Sequence, residues 1–312
     1  MPWSTLGFVM TDVLSGASGA GASVATIETL KPQQKNRTLR RFMRHRLAMI
    51  AVVVLTFIVI VSGFAPVFAP YPYDQIDLKA AGQPPSVEHV WGTDRVGRDI
   101  LSRTLYGGQI SLLVGVGATA IAATIGIVIG AASGHYRGAT DTVLMRITDT
   151  FMTFPSIIIM LTLAALLPRS VWNLVLIIGL LSWPGVARLV RAQFLSLREA
   201  EFVVACRCLG VPDRRIISLH IFPNVLAPLI ALITFSIGAI ILTEAGLSFL
   251  GLGVAPPTPS WGNMLEPARN LDILVNLPWT WIPPALMIVL TVLCVNFIGD
   301  GIRDAFDPRL VL

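Results

Sequence analysis

Few residues in this chain have the type and spacing to do chemistry. Lys31, Lys35 and Lys79 are its only lysines, and none closes a G-x-x-x-x-G-K-[ST] loop, so nothing cradles nucleotide phosphates in the P-loop manner. His45, His89, His135 and His220 fall in four separate segments. No H-E-x-x-H or G-x-S-x-G occurs. Cys206-x-Cys208 is tighter than the usual zinc half-site spacing, and with Cys294 as the third cysteine no disulfide framework is possible. No catalytic residue, no metal ligand and no cofactor is therefore assigned to this chain. The carboxylates beside apolar runs are Asp149, Glu244 and Asp300. Each stands near the end of its run, where water or a partner is expected to reach it. No chain of carboxylates crosses an apolar run, which argues against a proton-coupled carrier and suits a transporter energised from elsewhere.

The elements that would position these groups are membrane spans. Of the 312 residues, 54% are hydrophobic and 13% charged, against about a quarter charged in an ordinary soluble domain. The apolar residues fall in six runs, 47–65, 110–133, 150–167, 171–186, 227–243 and 281–298, most of them close to the ~20 residues that cross a bilayer. The reading is an all-α polytopic membrane protein with six transmembrane helices. Pro155 and Pro184 are expected to kink the third and fourth spans. Gly126 and Gly130 make a GxxxG that fits either close helix packing or the ordinary abundance of glycine in membrane helices. Residues 1–37 are read as a flexible tail, its first 30 residues rich in Gly, Ala, Ser and Thr, and 38–312 as the transmembrane domain. Seventeen of the 23 Lys and Arg residues lie on one side of the spans, seven of them between Lys31 and Arg46. By the positive-inside rule that side is cytoplasmic, with both termini on it. The basic cluster abuts a span, so topology and anionic lipid explain it and no nucleic acid is expected.

The most informative segment is the cytoplasmic connection 187–226. Phe202, Ala205, Cys206 and Leu209 fall at i, i+3, i+4 and i+7, which predicts one apolar face on a short helix ending at Gly210, with Pro212 beyond it. Something must cover that face, either lipid headgroups or a protein groove. The mixed charges of Arg198, Glu199, Glu201 and Arg207 favour the groove.

The run Glu201-Phe202-Val203-Val204-Ala205-Cys206-Arg207-Cys208-Leu209-Gly210, followed by His220-Ile221-Phe222-Pro223-Asn224, resembles the "EAA" loop of ABC importer permeases. The family triplet falls on Val204, Ala205 and Cys206. Only Ala205 matches it, and Gly210 matches the family glycine. The resemblance extends over about 38–312. Arg40-Arg41-Phe42-Met43-Arg44-His45-Arg46-Leu47, Trp91-Gly92-Thr93-Asp94-Arg95-Val96-Gly97-Arg98-Asp99, Gly246 to Gly253, Pro259-Ser260-Trp261-Gly262 and Gly299 to Pro308 are similar to C-type permease subunits of the dipeptide, oligopeptide and nickel importers.

That resemblance implies a type I ABC importer permease fold in a bacterial or archaeal cytoplasmic membrane, with a coupling helix within 199–210. It implies a homologous B-type permease as partner, two ATPase subunits (or one fused) that bind ATP and Mg, and an extracytoplasmic binding protein that delivers substrate. Glu201, Phe202, Val203, Val204, Ala205, Cys206, Leu209 and Gly210 are the expected coupling residues, with Phe202, Val203, Cys206 and Leu209 carrying the force of ATPase closure. Di- and oligopeptides are the expected cargo. Nickel chelates and other small solutes are carried by similar folds, and a secondary carrier is the more distant reading. Asp94, Arg95, Arg98 and Asp99 in the external loop 70–105 are candidates for the surface that meets the binding protein, against the alternative of a plain solvated loop. The stretch 244–280, with Trp261 and Trp279, fits an external re-entrant or interfacial element near the pathway, and headgroup-level tryptophans are the simpler reading.

Overall fold

The computed structural model describes residues 40–306. The expected tail 1–37 and the basic residues before Arg40 lie outside them. Five helices are long and apolar enough to cross a membrane, and a bent helix pair makes up to six. They are α1 (Arg46–Gly63), α2 (Ile100–Tyr136), the pair α3 (Gly138–Thr153) and α4 (Ser156–Leu166), α5 (Val171–Arg198), α7 (Phe222–Phe249) and α9 (Pro278–Phe306). Among the short helices outside the spans are α6 (Glu201–Cys208) at the basic end of the bundle and α8 (Leu271–Asn276) at the opposite end.

Three spans differ from the sequence reading, each for a local reason. The third is two helices bent by 75°, not one kinked helix. Pro155 cannot donate an N–H and disfavours helix at Phe154, so the backbone turns extended there and α4 restarts. At 11 residues α4 is about 16 Å long, too short to cross alone. Pro184, by contrast, sits inside an uninterrupted α5. That helix continues to Arg198, so the first twelve residues of the expected connection 187–226 belong to the span's own helix. Its arginines, Arg188, Arg191 and Arg198, therefore stand on a rigid rod. The second span is 37 residues, about 55 Å, and overshoots a bilayer core at one or both ends.

This long α2 is the central element. It packs along α5 more extensively than any other pair of helices, and also touches α1, α7 and α9. Closeness is set by glycine. A Cβ on Gly126 would lie 2.5 Å from Val186 Cβ, and one on Gly130 would lie 2.5 Å from the Ala187 carbonyl oxygen. The GxxxG is thus a contact surface, and it continues to Gly134, where a Cβ would meet Phe194 Cβ at 2.6 Å. In lipid, apolar burial gives helices little reason to associate, so this van der Waals fit is a main source of cohesion. α1 lies at the margin, with Ile50, Val53 and Phe57 exposed for lipid contact.

The seam makes a discriminating prediction. Gly130→Val should lower stability by about 1–3 kcal/mol or more through overpacking against backbone. Gly246→Ala, where nothing lies within 4 Å of the new methyl, should be neutral or slightly stabilising. Thermal midpoints of the detergent-solubilised assembly compare the two, and equal midpoints would reject the seam.

Candidate functional site

The connection after α5 builds a small module. Ala200 is extended and α6 begins at Glu201. Its end is a Schellman motif: the Val211 N–H donates to the Cys206 carbonyl at 3.1 Å and the Gly210 N–H to the Arg207 carbonyl at 2.9 Å. Gly210 has φ +75, a conformation that favours glycine. Pro212 follows, then a π-helical turn, Ile216–Ile221, leads into α7.

Which side of α6 looks outward differs from the pattern reading. Val203 is fully buried and Cys206 half-buried, packed with Phe194, Ile216, Ile221 and Val225 of the same chain. Val203 anchors the helix and is not available to a partner, a correction to the force-carrying set, while Cys206 is partly covered beside it. Phe202, Val204, Ala205 and Leu209 are exposed, Leu209 at 81%. Glu201 and Gly210 are exposed beside them. An apolar helix face so placed is a surface made for contact.

Polar groups from three helix ends hold this module in place, among them Arg198 and Glu199, whose charges the sequence pattern assigned to a partner groove and which the fold instead uses internally. His135, at the end of α2 and 2% exposed, has its Nε2 3.4 Å from Asp213 Oδ1. Arg198 donates to the His135 carbonyl, and Arg137 Nη2 meets Glu199 Oε1 at 2.5 Å. Arg191 forks onto Asp141 at 2.6 and 2.7 Å, with Ser133 donating to the same carboxylate. This two-pronged, half-buried pair is the strongest of the set, whereas the exposed Arg188–Asp149 pair at 2.6 Å adds little. Asp141 and Arg191 are 50 residues apart, so no local signal pairs them.

At the opposite end the four loop candidates separate. Asp94 accepts from the Val96 and Arg98 backbone N–H groups and pairs with Arg98 Nε at 2.6 Å. Arg95 is exposed and pairs with Asp272. Asp99 is 2% exposed, caps α2 by accepting from the Ser102 N–H at 2.7 Å, and meets His89 Nδ1 at 3.0 Å. Asp99 therefore cannot be part of an outer surface; its lone pairs are used inside the fold.

Glu244 also departs from expectation. It is fully buried, and its carboxylate accepts from Ser111 at 3.1 Å, Ser248 at 2.7 Å and Ser260 at 2.9 Å. Water does not reach it. Trp261 is fully buried too, not at headgroup level; its indole donates to the Thr104 carbonyl at 2.9 Å and its backbone N–H to Ser111 Oγ at 3.1 Å. Together these groups pin the segment after α7 onto α2. Trp279 is half-buried and donates to the Thr93 carbonyl at 3.2 Å.

Comparison with known proteins now places the arrangement. Residues 126–312 match the model of the binding-protein-dependent transport system inner membrane component, and residues 34–85 match the N-terminal TM domain of oligopeptide transport permease C. The chain belongs to this family of transport-system inner membrane components. Among its relatives, a Brucella suis biovar 1 protein provisionally named a peptide permease is 45% identical over 276 residues, 88% of this chain and 91% of that one. The oligopeptide transport system permease protein OppC of Haemophilus influenzae is 42% identical over 273 residues, covering 86% and 87%. OppC of Bacillus subtilis is 38% identical over 270 residues, covering 86% and 88%. The family is a permease, not itself an ATPase, so this permease is a multi-pass subunit of a larger transport system.

The buried carboxylate can be tested by itself. Glu244→Ala should cost about 2–5 kcal/mol, because three buried hydroxyls lose their shared partner. Glu244→Gln should cost roughly 1 kcal/mol, since amide and hydroxyls can rearrange. Thermal midpoints and protease cleavage within 250–270 check both; unchanged cleavage in the alanine variant would show that Glu244 does not pin the segment.

Proposed function

We propose that this chain is the C-type permease subunit of an ATP-driven importer that takes up di- and oligopeptides handed over by an extracytoplasmic binding protein. In this reading it pairs with a homologous B-type permease in a bacterial or archaeal cytoplasmic membrane. The end carrying α6 is cytoplasmic, as are both termini, and the Glu244 end faces outward. ATP and Mg are bound by partner ATPase subunits. The peptide cargo is supported by the names of the relatives from Haemophilus influenzae and Bacillus subtilis.

The observation that carries the coupling reading is the split of α6 into a buried anchor and an exposed apolar face. Val203 ties the helix to α5 and α7, while Phe202, Val204 and Leu209 stand free. A surface of that kind, grooved into an ATPase subunit, transmits displacement because its other side is locked to the bundle. Closure of two ATPase subunits on ATP would draw two such helices together and bias the spans between inward-open and outward-open states. The Arg137–Glu199 and His135–Asp213 contacts would carry the push into α2.

Leu209→Asp and Phe202→Asp in the complete transporter should cut ATP-driven peptide uptake at least about tenfold, the scale of losing an interface hot spot, while thermal stability of the permease stays at the parental value. Uptake at the parental rate in both would overturn the docking assignment. Native Cys208, which is exposed on α6, provides a second check. A membrane-impermeant maleimide should label it from the cytoplasmic side only, and docked ATPase subunits should shield it. Labelling from outside the cell would reverse the orientation.

A further inference from the structure

A cavity of about 430 Å³, open on one side, lies at the end opposite α6 and is lined by this one chain. Its volume is in the range of small-ligand sites, ~300–1,000 Å³. The wall comes from the N-terminal turn of α2, the loop 94–98, the segment after α7 and the start of α9. Val254, Met264 and Ile273 supply apolar surface. The polar groups are unusual in their pairing. Arg103 is 6% exposed and lines the cavity, yet no carboxylate lies within 4 Å of it among the described residues. One nitrogen, Nη1, donates to the carbonyls of Tyr73 at 3.1 Å and Pro257 at 3.4 Å. Glu266, on the same cavity, likewise has no cationic partner within that distance among the described residues. Asp94 and Arg98 also line it but satisfy each other, Arg95 pairs with Asp272, and Arg169 is a second arginine on the wall with no carboxylate within 4 Å among the described residues.

A guanidinium withdrawn from water without a counter-charge is costly. Glu266 puts a second unpaired charge, half-buried, on the wall of the same cavity. One ligand chemistry answers both, a small molecule carrying a carboxylate and an ammonium on a partly apolar frame. We propose that this cavity binds the zwitterionic termini of a short peptide within this single permease, with the terminal carboxylate toward Arg103 and the terminal ammonium toward Glu266. It would be a holding site at the outer mouth, distinct from any passage formed between two permeases. The identity of the ligand as a peptide rests on the function proposed above; the pairing of charges rests on the cavity alone.

The assembled transporter in nanodiscs, without the binding protein, tests the site with tri-alanine as probe. Calorimetric titration should show binding that weakens about tenfold or more when the C-terminus is amidated, when the N-terminus is acetylated, or when Glu266 is replaced in Glu266→Gln. Acetylation should cost nothing further in the Glu266→Gln background, because it removes the same contact. Arg103→Lys should reverse part of the loss seen in Arg103→Gln for the free acid but not for the amide, which separates ligand contact from support of the outer loops. ATP-driven tri-alanine uptake by the complete parental system is measured in parallel. Uptake with no binding in the nanodisc, or with binding indifferent to the peptide termini, would overturn the cavity assignment and leave the peptide importer standing. Absence of peptide uptake by the parent would overturn the importer reading and the ligand named here with it.

Discussion

Two helix backbones approach one another along α2 and α5 because no side chain stands between them at Gly126 and Gly130. Everything that matters at either end hangs on that contact. α2 is long enough to carry Asp99 and Arg103 at one end and His135 at the other, so its placement against α5 sets both. In a membrane the fit must come from close packing, since lipid is as apolar as the helices it surrounds. A single methyl at either glycine would have to displace helical backbone or a β-branched side chain, neither of which yields cheaply.

The two ends of the bundle are built on different physics. At the end opposite α6, several buried polar groups are tied into the fold: Glu244 takes three serine hydroxyls, Asp99 takes a helix N-terminus and His89, and Thr93 receives Trp279. Such networks make a segment stiff, because breaking any one bond leaves a desolvated group. At the basic end the contacts are ion pairs, most of them partly exposed. These are weak singly and adjustable. The two ends therefore differ in stiffness, one locked by buried hydrogen bonds and the other held by contacts that exposure to water weakens.

The conformational module is equally divided within α6. The Schellman end at Gly210 and the buried Val203 fix its position, and the exposed Phe202, Val204 and Leu209 are left for another surface. Contacts around His135, Glu199 and Asp213 tie the module to α2 and α5.

By itself the sequence determined the membrane class, the sided distribution of charge, the short helix before Gly210 and the family, because apolar runs, arginine placement and contiguous motifs are local properties. It also placed Glu244, Asp99 and Trp261 in the right segments, but assigned them to water, an outer surface and the headgroup layer. Only the tertiary structure decided that all three are interior. Their partners, Ser111, His89 and Thr104, lie 133, 10 and 157 residues away. The same holds for the break at Pro155 against the continuity at Pro184, and for Val203 turning inward while Leu209 turns out. A helical period shows that a face exists; which face is covered depends on the neighbours that arrive from elsewhere in the chain.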